Sequence, residues 1–328
     1  MKITMTHGSG GQATSELIAS VFANAFQNDV LNRMEDSAVV PGSGTIAVTT
    51  DSFVVTPLQF PGGDIGRLCV CGTVNDLLMR GAVPQYLTCG FILQEGLDTE
   101  LLQELVASMA ATARESGVAI VAGDTKVVEG NGGLFVNTAG VGFVPAGVDI
   151  SGENCRPGDV VLVSGTLGDH HAAILSSRLG IENTIQSDCA PLGGMVKALM
   201  EGGIHLHALR DVTRGGLATV LKELASSSGV SIRLEEEKLP VTPQVGDLCG
   251  LLGLDPLYMG NEGKLVAILP AEEADKALEL VRSAPYGKHA AIIGTVNAEH
   301  PGSLTMLTPI GGLRRLEVLQ DEGLPRIC

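Results

Sequence analysis

Four aspartates stand at the ends of strand-like runs or near glycine: Asp51 in TTDSF, Asp76 in TVNDLLMRGA, Asp124 in AGDTKVV and Asp211 in LRDVTRGG. Asp36 in MEDSAVV is a fifth. Magnesium takes hard oxygen ligands, keeps several waters and bridges carboxylates to nucleotide phosphates. Carboxylates carried by separate segments can converge on such ions, so the pattern points to metal-assisted phosphate chemistry. Any one of them alone reads better as a turn residue or helix cap. Five in similar settings shift the balance. HGSGG at 7–11 brings Gly8, Ser9, Gly10 and Gly11 together just before the first helical stripe. Successive N–H groups there can cradle an anion, with a helix N-terminus adding positive potential. No GK[ST] follows, and no GxGxxG follows a strand, so a flexible glycine-rich segment is an equal reading. The sequence closes on DEGLPRIC. Exposed free thiols are a liability that surfaces avoid, which marks Cys328 as a candidate carrier. A tethered thiol on a mobile tail reaches more than one active site at high effective concentration.

These residues need elements to hold them. An apolar stripe at helical spacing runs over 14–27, another over 99–116, and Gly117 is a helix stop. Short β-rich runs at 45–50, 84–93, 118–123 and 134–144 read as strands, the first and third leading into Asp51 and Asp124. The Gly- and Pro-rich stretch 145–159 is the best boundary between domains. Beyond it the pattern restarts: a strand VVLVSG, a helix from about 167, helices near 192–201, 218–227 and 271–284, and strands VSIRLE, KLVAILP and AAIIGTV. Strands and helices mix without a regular βαβ repeat. The expectation is an α/β chain of α+β type, with one domain over 1–147, a second over 155–320, and a mobile tail at 321–328 carrying Cys328.

Composition narrows the partners. Acidic residues outnumber basic ones 37 to 21, giving a net charge of −16, and Trp is absent with only 3% aromatic residues. Such a surface repels a phosphate backbone and offers few stacking platforms, so nucleic acid is excluded. Phosphates bound by so acidic a chain need metal ions beside them. No apolar run of about 18 residues occurs, and MKITMTHGSGG lacks the apolar stretch of a signal peptide, so a cytoplasmic protein without membrane contact is expected. Seven cysteines lack the spacing of a zinc knuckle or redox pair, and six read as reduced buried thiols. His205 and His207 have zinc-like spacing but no third ligand nearby, and read as exposed strand residues.

TTDSFVV, VNDLLMRGAVP, AGDTKVV and DVTRGGL occur in the order and spacing of the ATP-binding superfamily of aminoimidazole ribonucleotide synthetase, selenophosphate synthetase and thiamine-phosphate kinase. Within it, HGSGG, NEGKLV (261–266) and the terminal PRIC resemble the HypE hydrogenase-maturation family, from end to end of the chain. The resemblance implies an N-terminal sheet domain that dimerises, and a C-terminal α+β domain over the nucleotide. It implies magnesium carboxylates at Asp36, Asp51, Asp76, Asp124 and Asp211. It implies nucleotide contacts at residues 7–11, Asn75 and Gly123, besides Asp51, Asp76 and Asp124.

It further implies that the carbamoyltransferase HypF loads a carbamoyl group on Cys328. ATP then drives its dehydration to a thiocyanate, and the cyanide passes to iron on the HypC–HypD complex. Glu262 falls at the position of the deprotonating base, and Lys126 at that of a partner that orients oxygen or stabilises charge. Arg214 departs from the DISDG form of the thiamine-phosphate kinases, which counts against a thiamine-type pocket. Two rival readings remain. A small-molecule synthetase or kinase would leave Cys328 incidental, and a non-catalytic adaptor would bind nucleotide without turning it over.

Overall fold

The computed structural model describes residues 2–8, 12–33, 40–42 and 44–319. The first half of the chain carries α1 (Gln12–Leu17), continued by wider turns to Ala23, then β1 (Thr45–Phe53) and a small hairpin of β2 (Gln59–Phe60) and β3 (Gly63–Asp64). It goes on through α2 (Ile65–Leu78), β4 (Val83–Gln94), α3 (Thr99–Glu115), β5 (Ala119–Val128) and β6 (Leu134–Val144). The second half holds β7 (Asp159–Val163), α4 (Asp169–Leu179), α5 (Gly193–Glu201), β8 (Ala208–Asp211), α6 (Gly216–Ser228) and β9 (Ser231–Glu235). It ends with α7 (Pro243–Leu252), β10 (Leu265–Pro270), α8 (Ala274–Ser283), β11 (Ala291–Asn297), β12 (Leu304–Leu307) and β13 (Leu313–Leu316).

The mixed α/β class expected from the sequence is the one observed, as two sheets each covered by helices. The first sheet has the order β1-β6-β4-β5, with β4 and β5 parallel and the other pairs antiparallel. The second has the order β13-β12-β9-β11-β7-β10-β8. β7 and β10 are central there and read as unbroken apolar runs, because helices cover both of their faces.

The sequence pattern missed α2. Nearly every residue of this helix is buried, so it has no polar face and no helical stripe to detect. Its start is fixed by Asp64, whose side chain accepts the Arg67 N–H at 2.8 Å. Gly66 lets α3 approach: a Cβ there would lie 2.1 Å from the Leu105 carbonyl oxygen. One apolar cluster runs from α2 (Leu68, Val74, Leu78) into α5 (Met195, Leu199) and β10 (Leu265, Ala267), so the two halves share a core. A second cluster joins α6 to the other face of the large sheet through Leu217, Leu221, Val163 and Ile268.

Candidate active site

Alternation along β1 decides which of its side chains meet α2. Ala47, Thr49 and Asp51 face the helix, while Ile46, Val48, Thr50 and Ser52 are exposed on the opposite face. Asp51 lies within the strand rather than at its end, because its backbone stays in the ladder opposite Thr138 of β6. Asp76 also departs from the strand-end expectation. It sits in the last turn of the buried helix α2, where Thr49 Oγ1 donates to its Oδ2 at 2.7 Å. The Asp51 and Asp76 carboxyls lie near enough to act on each other's protonation. Asp211 is the last residue of β8, held opposite Leu265 of β10. Thr49, Asp76, Arg80, Gly152, Arg210 and Asp211 line a cleft of about 330 Å³ between the two halves.

All three carboxyls are pushed above the ordinary range. Asp51 is raised by burial and then by the charge on Asp76, with Arg214 opposing. Burial raises Asp76, with relief from the Thr49 hydroxyl and Arg210. Asp211 goes up to about 7, through burial first and then Asp76, against Arg210. Carboxyls raised by burial, two of them also by the charge on Asp76, are stabilised as anions by a cation placed among them. Among the described residues no three His, Cys, Asp or Glu are grouped so that they could hold a metal ion by themselves. An open set of carboxylates is what magnesium uses when phosphate oxygens and water complete its shell, so the donors fit that ion.

The structure does not bring all five predicted carboxylates to this cleft. In the parallel pairing of β4 with β5, Asp124 stands beside Gly90 and Lys126 beside Ile92, which is 44% exposed. Both therefore project from the helix-free face of the sheet, opposite to Asp51. There they pair with each other at 3.0 Å, and the Lys126 ammonium holds the Asp124 carboxyl below its usual value. Asp124, expected at a strand end, lies within β5 because β4 continues beside it to Gln94. Gly123 adjoins it, where a Cβ would come 2.9 Å from the Cys89 carbonyl oxygen. Asp36, Ser9, Gly10, Gly11 and Cys328 lie outside the described residues, and Gly8 closes the short turn Met5–Gly8.

Asn75 is buried, with both ends of its amide engaged across the shared core. Nδ2 donates to the Ala190 carbonyl at 3.1 Å, and Oδ1 accepts the Leu192 N–H at 2.9 Å. Glu262 is buried too, on the segment 261–264 that precedes β10. Asn261 anchors that segment beside Asp211: its N–H donates to the Val212 carbonyl at 3.0 Å, and its Oδ1 accepts the Gly168 N–H at 2.7 Å. His205 and His207 pair with Glu273 and Asp159 through Nδ1 at 2.5 and 2.8 Å. Those contacts with single carboxylates, and not zinc ligation, occupy the two rings.

Sequence reasoning missed Thr49, Arg210, Asp188 and Lys264. Lys264 sat in the NEGKLV motif without a role. Asp188 lies in a loop without regular structure, where no periodicity marks it.

The family model for the N-terminal domain of AIR synthase related proteins matches residues 34–144, and that for the C-terminal domain matches 156–306. The chain is 51% identical to carbamoyl dehydratase HypE of Azotobacter vinelandii over 99% of its own length and 97% of that protein's. Among solved structures, hydrogenase maturation protein HypE in complex with ATP superposes with a TM-score of 0.95 at 48% identity, covering 99% of both chains. A HypE–HypF complex contains a chain that matches with a TM-score of 0.81 at 49% identity, over 92% of this chain and 99% of that one. Full-length identity at this level, on a fold whose cleft brings Asp76 and Asp211 together, decides the matter: this chain belongs to the HypE family of carbamoyl dehydratases, within the AIR synthase related proteins.

Proposed function

We propose that this chain uses ATP to dehydrate an S-carboxamide on its own Cys328 to an S-thiocyanate, the source of a cyanide ligand for hydrogenase iron. The observation that carries the reading is the cleft lined by Asp76 and Asp211, with Asp51 near enough to act on both, in a chain alike from end to end to carbamoyl dehydratases, one of them solved with ATP. The overall change is R–S–CO–NH₂ plus ATP to R–S–CN plus ADP and phosphate. The amide oxygen takes the γ-phosphoryl group and departs with it as phosphate, and the nitrogen gives up two protons as the nitrile forms. Magnesium held by Asp51, Asp76 and Asp211, with Asp36 in the same role, would neutralise charge on the phosphates, which is where most phosphoryl-transfer catalysis lies.

The chain's own residues do the rest. Thr49 holds the Asp76 carboxylate in one orientation. Arg210 and Arg214 set positive charge against the cleft carboxyls and the incoming phosphates. Glu262 removes a proton from the amide nitrogen. Lys126 stabilises the negative charge that develops as oxygen is lost. Near the tail, the Leu319 N–H donates to Thr219 Oγ1 at 3.2 Å, and Lys222 pairs with Glu317 at 3.0 Å. Both anchors lie on α6, the helix that follows the Asp211 loop. Nine residues beyond Leu319 span up to about 30 Å when extended, and that reach is what the carrier reading uses to bring the thiol to the cleft and to a partner.

Asp124 and Lys126 act in a homodimer. Among the described residues the first sheet ends in two unpaired edges, β1 and β5, and its helix-free face exposes Ile46, Val48, Ile92 and Val128. Free edges beside an uncovered apolar face are a sheet prepared for another sheet. A second copy covers that face and brings its Asp124 and Lys126 toward the first copy's cleft. HypF, which is found with a relative of this chain, loads Cys328, and a HypC–HypD complex receives the cyanide. No helix among the described residues is long and apolar enough to cross a membrane, and the six described cysteines are free and buried, as a reducing cytoplasm allows.

The test is mass spectrometry of the C-terminal peptide after incubation with a carbamoyltransferase, carbamoyl phosphate and ATP. A carboxamide adduct on Cys328 is expected first, followed by loss of one water. Full ATP turnover by Cys328→Ala with a free metabolite would overturn the carrier reading.

A further inference from the structure

The side chain of Asp188 is 4% exposed, yet it is fully bonded. One oxygen accepts the backbone N–H of Glu262 at 3.1 Å. The other accepts the N–H of Gly263 at 3.2 Å and the Lys264 ammonium at 2.9 Å. Three consecutive residues of one segment thus close around a single buried carboxylate. The fit leaves no slack, because a Cβ on Gly263 would stand 1.9 Å from the Asp188 carbonyl oxygen. Burial alone raises the Asp188 carboxyl. Lys264, the neighbouring His170 and the Glu262 N–H more than offset this and hold it below its usual value, so it stays charged.

The Asp188 loop is tied in turn to the cleft. Ala190 donates its N–H to the Glu262 carbonyl at 3.3 Å, and its own carbonyl accepts from Asn75, the residue before Asp76. On the other side, Asn261 binds the Val212 carbonyl next to Asp211. Glu262 is therefore suspended between two of the cleft carboxylates by hydrogen bonds that run through Asp188, Ala190 and Asn261.

We propose that Asp188 is a positioning residue that fixes the backbone of Glu262, with Lys264 as its counter-charge. This rests on the assignment of Glu262 as the dehydration base. A buried carboxylate bonded to two adjacent N–H groups sets where the Glu262 Cα lies, and a misplacement of about 1 Å costs on the order of a hundredfold in rate. Both Asp188 oxygens are engaged by residues 262–264 and buried, so its removal acts on the proton transfer and leaves nucleotide binding intact.

The experiment uses full-length carbamoylated protein and follows thiocyanate formation on Cys328 by mass spectrometry, together with the KM for ATP. Asp188→Asn, Glu262→Gln and the double variant are compared, and Asp188→Asn/Lys264→Gln serves if the single Asn variant does not fold. The expected result is a drop of about 10- to 100-fold in the single-turnover rate with Asp188→Asn. The KM for ATP stays within about twofold, and Asp188→Asn causes no further loss once Glu262→Gln is present, as expected of residues acting as a unit. Asp188→Glu, which keeps the charge with a displaced carboxylate, recovers part of the rate. Wild-type rate in Asp188→Asn while Glu262→Gln is inactive overturns the positioning role and spares the base assignment. An equal loss in the Glu262→Gln background, or a rise in KM that accounts for the whole effect, also overturns it. Full activity of Glu262→Gln instead removes the base assignment itself, and the positioning role with it.

Discussion

The two faces of the four-stranded sheet carry aspartates in similar sequence settings and treat them oppositely. On the helix-covered face Asp51 and Asp76 are half-buried beside Asp211, and each raises the others or is raised by burial. On the bare face Asp124 is solvated, neutralised by Lys126 and held low. The alternation of a strand sends one residue to the core side and the next to the other face, so local sequence cannot distinguish the two. What differs is dielectric and company. A carboxylate raised by its neighbours gains from a cation, whereas one already paired with lysine has its counter-ion. In the proposed function the helix-covered face is the side that would hold magnesium, and the bare face is the side that a second copy would cover.

This contrast can be broken at its strongest point first. Asp76→Ala or Asp211→Ala should lower the ATP-dependent dehydration rate by about 10²- to 10³-fold, the scale for losing one preorganised charge-stabilising group. A loss under about threefold, measured by single-turnover thiocyanate formation, would mean the cleft is not the reaction site. The second test mixes chains. Asp76→Ala and Lys126→Ala homodimers should each be inactive, but subunit exchange between them should restore about a quarter of wild-type activity. Half of the dimers in a random mixture are mixed, and each mixed dimer holds one intact cleft facing one intact Lys126. Absence of recovery after exchange, verified by native mass spectrometry, would place Lys126 in the cleft of its own chain.

A third prediction concerns pH. Burial, and then the charge on Asp76, push the Asp211 carboxyl up from an ordinary value of 3.8 to about 7, so the native state binds a proton more tightly than the unfolded state. Its contribution is fully present below about 3.8 and is lost as pH rises through about 7. Ligand-free Asp211→Asn should therefore gain in Tm relative to wild type between pH 5 and pH 8, by a few degrees in calorimetry. Magnesium–ATP should suppress the difference in the wild type and release protons on binding. The smallest expected effect is that of Thr49→Val, which removes one hydrogen bond from Asp76 and leaves its charge. A two- to tenfold loss of rate, about 0.5–1.5 kcal/mol, is the scale of a single neutral hydrogen bond. No change would assign the orientation of Asp76 to its backbone alone.

Much of this was legible in the residues themselves. The stripe at 99–116 and the β-rich run at 134–144 found α3 (Thr99–Glu115) and β6 (Leu134–Val144) almost to the residue, because each has one buried and one solvated side. The buried helix α2 escaped for the converse reason, and with it the true setting of Asp76. The short strands β12 and β13, of four residues each, also went unseen, because too few positions exist to show a period, and the strand read at His205 and His207 begins only at Ala208. For the site, motif order singled out Asp51, Asp76, Asp211 and Glu262. Nothing in it ranked Asp124 apart from them, or joined Asp188 to Glu262 across 74 positions.

By itself the sequence determined residue chemistry: the number and kind of carboxylates, a strongly acidic net charge, a cysteine at position 328, and the local periodicities that make most helices and strands. Only the tertiary structure decided which carboxylates share a cleft, which face solvent, and which buried charge holds Glu262. Those properties depend on distance and burial between segments far apart in the chain. Electrostatic coupling and desolvation follow separation in space, and that separation does not exist until the sheets close on α2.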